Sequence, residues 1–271
     1  MTNFEQELIN VANTEVWGTV GEKFHQANRT LCQICSAKHT IVTFSLSAAL
    51  ESVLRGFDIG FGDSVVLAAK SEEYDTAVTL CVGAAPIYCD CLEDGFSIDP
   101  QRAKEAIKEN TKAIIADLPC DINALNKTAR EKGIKLIINA NDRITQAELS
   151  LCDAAVIDMS SGCAFDADMA GAVLCNSDDD YDRFYAHHNC GRPLGDGNTL
   201  DFDDMVGGDL RIAEWQAALI CMMSEPLPPS KNRPEKRPLM AYVPLHGSEY
   251  VKKLTGGYPL NKKGDFPNAE K

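Results

Sequence analysis

Residues 112–139 read KAIIADLPCDINALNKTAREKGIKLIIN, and this stretch decides the architecture. KAIIAD (112–117) and IKLIIN (134–139) are short, β-branched and apolar almost throughout. Runs of that length with little polar alternation suit strands buried on both faces. Between them, residues 121–131 carry a helical pattern. A strand, a helix and a second strand in succession imply a parallel pair joined by a helical crossover.

The alternation extends in both directions. Upstream, strand-like runs at 40–45, 64–69 and 85–90 are separated by helical patterns at 47–57, 73–82 and 100–109. Downstream, runs at 153–158 and 171–176 follow with short connections, then helical stretches at 178–189 and 211–223. Two helical segments, around 4–12 and 22–37, precede the first strand. The expectation is a three-layer α/β domain over residues 1–224 with a mostly parallel sheet of about seven strands. EPLPPSKNRPEKRP (225–238) holds five prolines in fourteen residues, a composition that favours an extended linker. The basic, glycine-rich remainder, 239–271, has too few apolar residues to fold alone and is expected to pack on the large domain or on a partner chain.

Composition narrows the function. The net charge of −14 repels phosphate backbones and anionic lipid, which argues against nucleic-acid and membrane partners. The first sixteen residues have neither a basic nor an apolar leader region, and no stretch reaches the roughly 18 apolar residues of a membrane helix, so a cytoplasmic location is expected. Eleven cysteines, an odd number, are scattered through apolar runs and read as small core residues in a reducing compartment. Cys32 and Cys35 have CxxC spacing in a helical stretch; two structural thiols and a redox or zinc pair are both open readings. No lysine occurs from Leu136 to Ser230, 95 residues in a row, although the chain has sixteen elsewhere.

Six segments in order and two tail pieces carry a resemblance: SLSAALESVLRGFDIGFGDSVV (45–66), GAAPIYCDC (83–91), FSIDP (96–100), AIKENTKAII (106–115), GAVLCN (171–176) and GGDLRIAEWQAAL (207–219), then VPLHGSEY and GDFPNAE in the tail. Together they resemble the sugar aminotransferases of the DegT/DnrJ/EryC1/StrS family, pyridoxal-phosphate (PLP) enzymes of the aspartate aminotransferase fold. The resemblance implies a cofactor cleft that includes Ser45, Leu46, Ser47, Tyr74, Ala140, Ser160, Asp209 and Arg211. In such a cleft a loop of small residues at a helix N-terminus cradles a phosphate through backbone N–H groups. Here that loop is Ser45-Leu46-Ser47-Ala48, with Leu46 where the family has glycine; an ordinary helix N-cap at Ser47 is the competing reading.

The same resemblance shows departures. The carboxylate that the family sets at the PLP ring nitrogen falls on Ala140, with Asp142 two residues away. Its Schiff-base lysine falls on Cys163, and a thiol cannot form an imine. The turn before Gly171 is reduced to Asp168-Met169-Ala170. Between Asp117 and Asp121 the chain is too short for the family's cofactor-covering loop. An asparagine that the family offers to a neighbouring subunit's phosphate is Asp209, while Arg211 is retained, as a residue of the cofactor cleft or as a structural partner of Glu214 or a helix cap. The family's small C-terminal domain is largely missing. The expectation is therefore a degenerate, non-catalytic homologue with no catalytic residue and no cofactor, acting as a subunit, regulator or binding protein. It would pair with itself or with an active paralogue. The alternative is a residual enzyme of nucleotide-sugar or amino-acid metabolism that binds PLP or pyridoxamine phosphate (PMP) non-covalently.

Overall fold

The computed structural model describes residues 3–15, 20–93, 97–141, 144–160, 163, 165, 167, 169–194 and 206–223. The expected linker and tail at 225–271, with Asp142 and Asp168, lie outside the described residues. Along the chain run α1 (Asn3–Asn13), α2 (Glu22–Cys35), β1 (His39–Thr43), α3 (Leu46–Gly56), β2 (Ser64–Ala68), α4 (Glu73–Cys81), β3 (Ala85–Cys89), α5 (Pro100–Ala106) and β4 (Thr111–Asp117). They are followed by α6 (Ile122–Lys132), β5 (Lys135–Asn139), α7 (Gln146–Leu149), β6 (Ala154–Asp158), β7 (Gly171–Cys175), α8 (Asp178–His188) and α9 (Glu214–Cys221). Each expected strand is present, its ends within two residues of the apolar run that announced it.

The seven strands form one sheet in the order β1-β7-β6-β5-β4-β2-β3. β2 runs parallel to β3 and β4, while β7 is antiparallel to both β1 and β6. The reversal at β7 follows from its connection. Only residues 159–170 join β6 to β7, and a parallel return would need a crossover element that this stretch does not carry among its described residues. One element is additional to the sequence expectation. α7 is a single turn with a capping box in which Thr145 accepts from the Glu148 N–H and Glu148 reaches back to the Thr145 N–H.

Helix starts follow from side-chain caps. Asp99, Asp121 and Ser177 each accept from the first turn of α5, α6 and α8, and Pro100 supplies the preset φ at the start of α5. α3 differs from expectation: its cap is Ser45, whose Oγ accepts from the Ala48 N–H at 3.1 Å, and Ser47 already lies inside the first turn.

The described residues divide into two compact units, one of those up to 58 with those from 138 onward, the other of those between 59 and 137. In the second unit, every residue of β2 and β3 is buried. Its free edge is β3. The Ala85 N–H donates to the Asp63 carbonyl and the Cys89 carbonyl accepts from Ala69, so Pro86 and Tyr88 face outward. Proline has no N–H to offer a further strand. In the first unit the free edge is β1. Its outward Val42 N–H is taken by Asn28 Oδ1 of α2 at 2.8 Å, and the Thr40 hydroxyl donates to the Asn28 carbonyl. α3 packs closely on α8 in this unit: a Cβ on Gly56 would meet the Phe184 ring at 2.3 Å.

Candidate functional site

Within the first unit, hydrogen bonds and strand register bring several of the expected cleft residues to one end of the sheet. Gly171, which opens β7, pairs with Thr43 at the end of β1 and with Asp158 at the end of β6. The Asp158 N–H donates to the Asn141 carbonyl at 2.8 Å, and the Ala140 N–H donates to Val156. On the other flank, Thr43 forms an isolated antiparallel bridge with Arg211. Arg211, Thr43, Gly171, Asp158 and Asn141 thus form one row, with Ser45 just beyond Thr43, Ala140 just before Asn141 and Ser160 just beyond Asp158.

The start of α3 is locked into this row. The Thr43 hydroxyl donates to the Ser45 carbonyl at 2.8 Å. Gly171 lies so close that a Cβ there would sit 2.5 Å from the Ser45 carbonyl oxygen and 2.6 Å from the Leu46 nitrogen. Leu46 is buried, whereas Ser45 and Ser47 remain partly accessible. Glycine, absent from position 46, is therefore present on the facing strand, where the backbones touch.

Beyond β6, Asp158 Oδ1 accepts from the Ser160 N–H at 2.9 Å, and the Cys163 N–H donates to the Ser160 carbonyl at 3.0 Å. Cys163 is buried, with its Sγ 3.6 Å from Ser160 Oγ. Ala140 is buried too.

The segment 206–212 carries Asp209 and Arg211. Arg211 Nε donates to Asp209 Oδ1 at 2.7 Å, and this contact holds the aspartate below the usual carboxylate range and raises the guanidinium. Asp209 is mostly exposed, so the pair is worth about 0–1 kcal/mol. The partner of Arg211 is therefore Asp209 and not Glu214. Glu214 is buried and caps α2 from 190 residues away, accepting from the N–H groups of Gly21 (2.9 Å), Lys23 (2.9 Å) and Phe24 (3.0 Å). Gln216 donates to the Met169 carbonyl at 2.8 Å. In EWQAAL, therefore, the acid and the amide hold the scaffold.

Tyr74 lies in α4 of the second unit, with 45% of its surface exposed. Cys32 and Cys35 are free thiols in the last turn of α2, and burial pushes Cys35 up to about 11, which leaves little thiolate at neutral pH. Among the described residues no group of three or more His, Cys, Asp or Glu could hold a metal, and no helix is long and apolar enough to cross a membrane.

This seven-stranded frame has a counterpart in known proteins. The model of the DegT/DnrJ/EryC1/StrS aminotransferase family matches residues 1–233. The chain belongs to that family. Among solved structures, an aminotransferase from Psychrobacter cryohalolentis superposes with a TM-score of 0.72 at 18% identity, covering 81% of this chain and 60% of its own. NtdA of Bacillus subtilis, solved with bound PMP, gives 0.74 at 22% identity, over 82% of this chain and 53% of its own. Helicobacter pylori PseC, an aminotransferase of pseudoaminic acid biosynthesis, gives 0.70 at 19%, over 81% and 62%. At these identities the likeness is one of fold. The chain spans about 60% of the length of these structures.

Proposed function

We propose that this family member is non-catalytic and serves as a subunit, regulator or binding protein rather than as an aminotransferase. One observation carries the reading. The lysine-free stretch from Leu136 to Ser230 spans the ends of β5, β6 and β7, so these strand ends supply no primary amine. The groups gathered there are hydroxyls of Ser45 and Ser160, the Cys163 thiol, the Asp158 carboxylate already engaged by Ser160, and the Arg211 guanidinium already engaged by Asp209. Covalently held PLP, which would supply an electron sink, needs a lysine amine and a carboxylate at its ring nitrogen. Cys163 and Ala140 provide neither, so this donor set does not fit it. Pairing with a second copy or with an active relative is part of the same reading.

The test is direct. Purified full-length chain incubated with PLP gains no absorbance band of a protein-bound imine, no borohydride-fixed pyridoxyl lysine and no transamination of amino donors. A yellow adduct that borohydride fixes to one lysine overturns the proposal. Co-purification from the native host, followed by mass measurement, identifies whether the partner is a second copy or a longer relative.

A second reading, a residual enzyme or a sugar-nucleotide binder with PLP or PMP held non-covalently, is favoured by the retained small-residue start of α3 beside Arg211. It predicts a rise in melting temperature with PLP, PMP or a nucleotide sugar, since a ligand that binds only the folded state stabilises it. If Cys163 served that enzyme as a nucleophile, it would be alkylated selectively near neutral pH. Its burial leads us to expect slow, unselective labelling instead.

A further inference from the structure

His188, at the end of α8, is fully buried, and neither of its ring nitrogens has a hydrogen-bond partner. A neutral imidazole presents one donor and one acceptor, and buried polar atoms are rarely left unmet. The ring stacks on Phe24 of α2 (centroids 5.4 Å, planes 13° apart) and leans on Tyr185 (5.7 Å). The carbonyls of Tyr185 and of Val42 in β1 approach it without completing a hydrogen bond. On α2, the titratable His25 packs on the edge of Phe24. From the segment 206–212 the ring faces the Arg211 guanidinium and the Asp209 carboxylate, which are spent on each other.

That segment belongs to none of the seven strands. The Gly208 N–H donates to the His187 carbonyl (2.9 Å), Cys190 to Gly208 (2.9 Å) and Leu210 to His188 itself (3.1 Å). On the far side the Phe44 N–H of β1's extension donates to Leu210 at 3.3 Å, and Arg211 bridges to Thr43. The segment therefore straps α8 to β1, held in part by the His188 carbonyl, and its Arg211 and Asp209 charges act on the buried His188 ring.

We propose that His188 is an acid-operated latch: protonation of its ring releases the strap 206–212, with Asp209 and Arg211, from α8 and β1 while the sheet stays folded. The idea is independent of whether the chain turns over a substrate. Burial, reinforced by the Arg211 charge, pushes the closed ring down to about 3. Once the strap lifts, the ring meets water and titrates near its ordinary value of about 6.5. The open form therefore binds a proton that the closed form refuses. The closed form is fully favoured above about pH 6.5 and loses ground progressively below it, down to about pH 3. His187, lowered by burial with Arg55, Asp58, Arg183 and the Val206 carbonyl around it, acts in the same direction.

Hydrogen exchange on the full chain, corrected for the intrinsic pH dependence of exchange, reads the latch. Opening at the Gly208, Leu210 and Cys190 amides should rise about thirtyfold between pH 8 and pH 5, close to tenfold per unit once below 6.5. The amides of β6 and β7 should not follow. His188→Phe, which fills the slot without titrating, should flatten the response, and His187→Asn should leave most of it. A parallel rise throughout β7, or a pH slope that survives in His188→Phe, overturns the proposal. The wild-type chain alone also decides: an NMR titration in which the His188 ring takes up its proton while the strap amides stay protected refutes the latch.

Discussion

Glu214→Ala should lower the unfolding free energy of the chain by about 3–5 kcal/mol, read as a shift of the urea midpoint at an unchanged slope. The carboxylate accepts from the Gly21, Lys23 and Phe24 N–H groups at 2.9–3.0 Å and is 3% exposed. These donors belong to the first turn of α2, which has no cap of its own: Gly21 stands at the N-cap position without a side-chain hydrogen bond. The negative charge also sits at the positive end of the helix dipole. Removing it strands three donors, the buried Phe24 N–H and the part-buried Gly21 and Lys23 N–H groups, and each buried donor left unmet costs about 1–3 kcal/mol. Glu214→Gln keeps one acceptor oxygen and should cost roughly half as much. A Cβ at position 21 would lie 2.6 Å from the carboxylate, so a side chain there would have to push the Glu214 head group off its donors. A midpoint for Glu214→Ala within error of wild type would remove α9's role as the distant cap.

Gly171→Ala should cost about 3 kcal/mol, at the upper end for overpacking, and should displace the start of α3 from β7. The added methyl meets backbone on both sides, the Ser45 carbonyl at 2.5 Å and the Leu46 nitrogen at 2.6 Å, so no side-chain rotation relieves it. Neither partner gives way easily. Ser45 is tied to Ala48 and Thr43, and Gly171 is in register with Thr43 and Asp158. Gly133→Ala makes the contrast. Gly133 ends α6 at φ +66° with open space around it, so its cost is only the left-handed backbone, about 1 kcal/mol. Equal losses at the two positions would show that crowding at Gly171 is relieved somewhere the structure does not suggest.

The strands were legible because each is a short run dominated by apolar and β-branched residues, the composition that burial on both faces favours. The reversal of β7 was not: direction depends on whether a crossover element lies between two strands, and the runs themselves are indifferent to it. α7 is short enough to leave no periodic pattern, although Thr145 and Glu148 at capping-box spacing were a signal that could have marked it. At the candidate site, Ser45 and Ser47 are two residues apart and chemically alike. Only the extended φ of −163° at Ser45 separates the cap from the first helical turn. Arg211 and Glu214 stand three apart with opposite charge, the spacing of a local helical pair. Their real partners are Asp209 and the start of α2, and a contact across 190 residues leaves no trace in local spacing. The orphaned ring of His188 was equally invisible, since nothing in YAHHN says which imidazole is enclosed.

β1 has a single neighbour in the sheet, β7, and that neighbour begins 128 residues after β1 ends. A ribosome adding about 5–20 residues per second leaves HTIVT without its strand partner for on the order of ten seconds. During that interval α2, already emerged, and α3, made directly afterwards, are the neighbours able to shield it, α2 through Asn28. A nascent chain with Asn28 replaced by an apolar residue should therefore lean on chaperones and aggregate during synthesis more than its final stability would suggest. The topology makes the first strand made the last one to be secured.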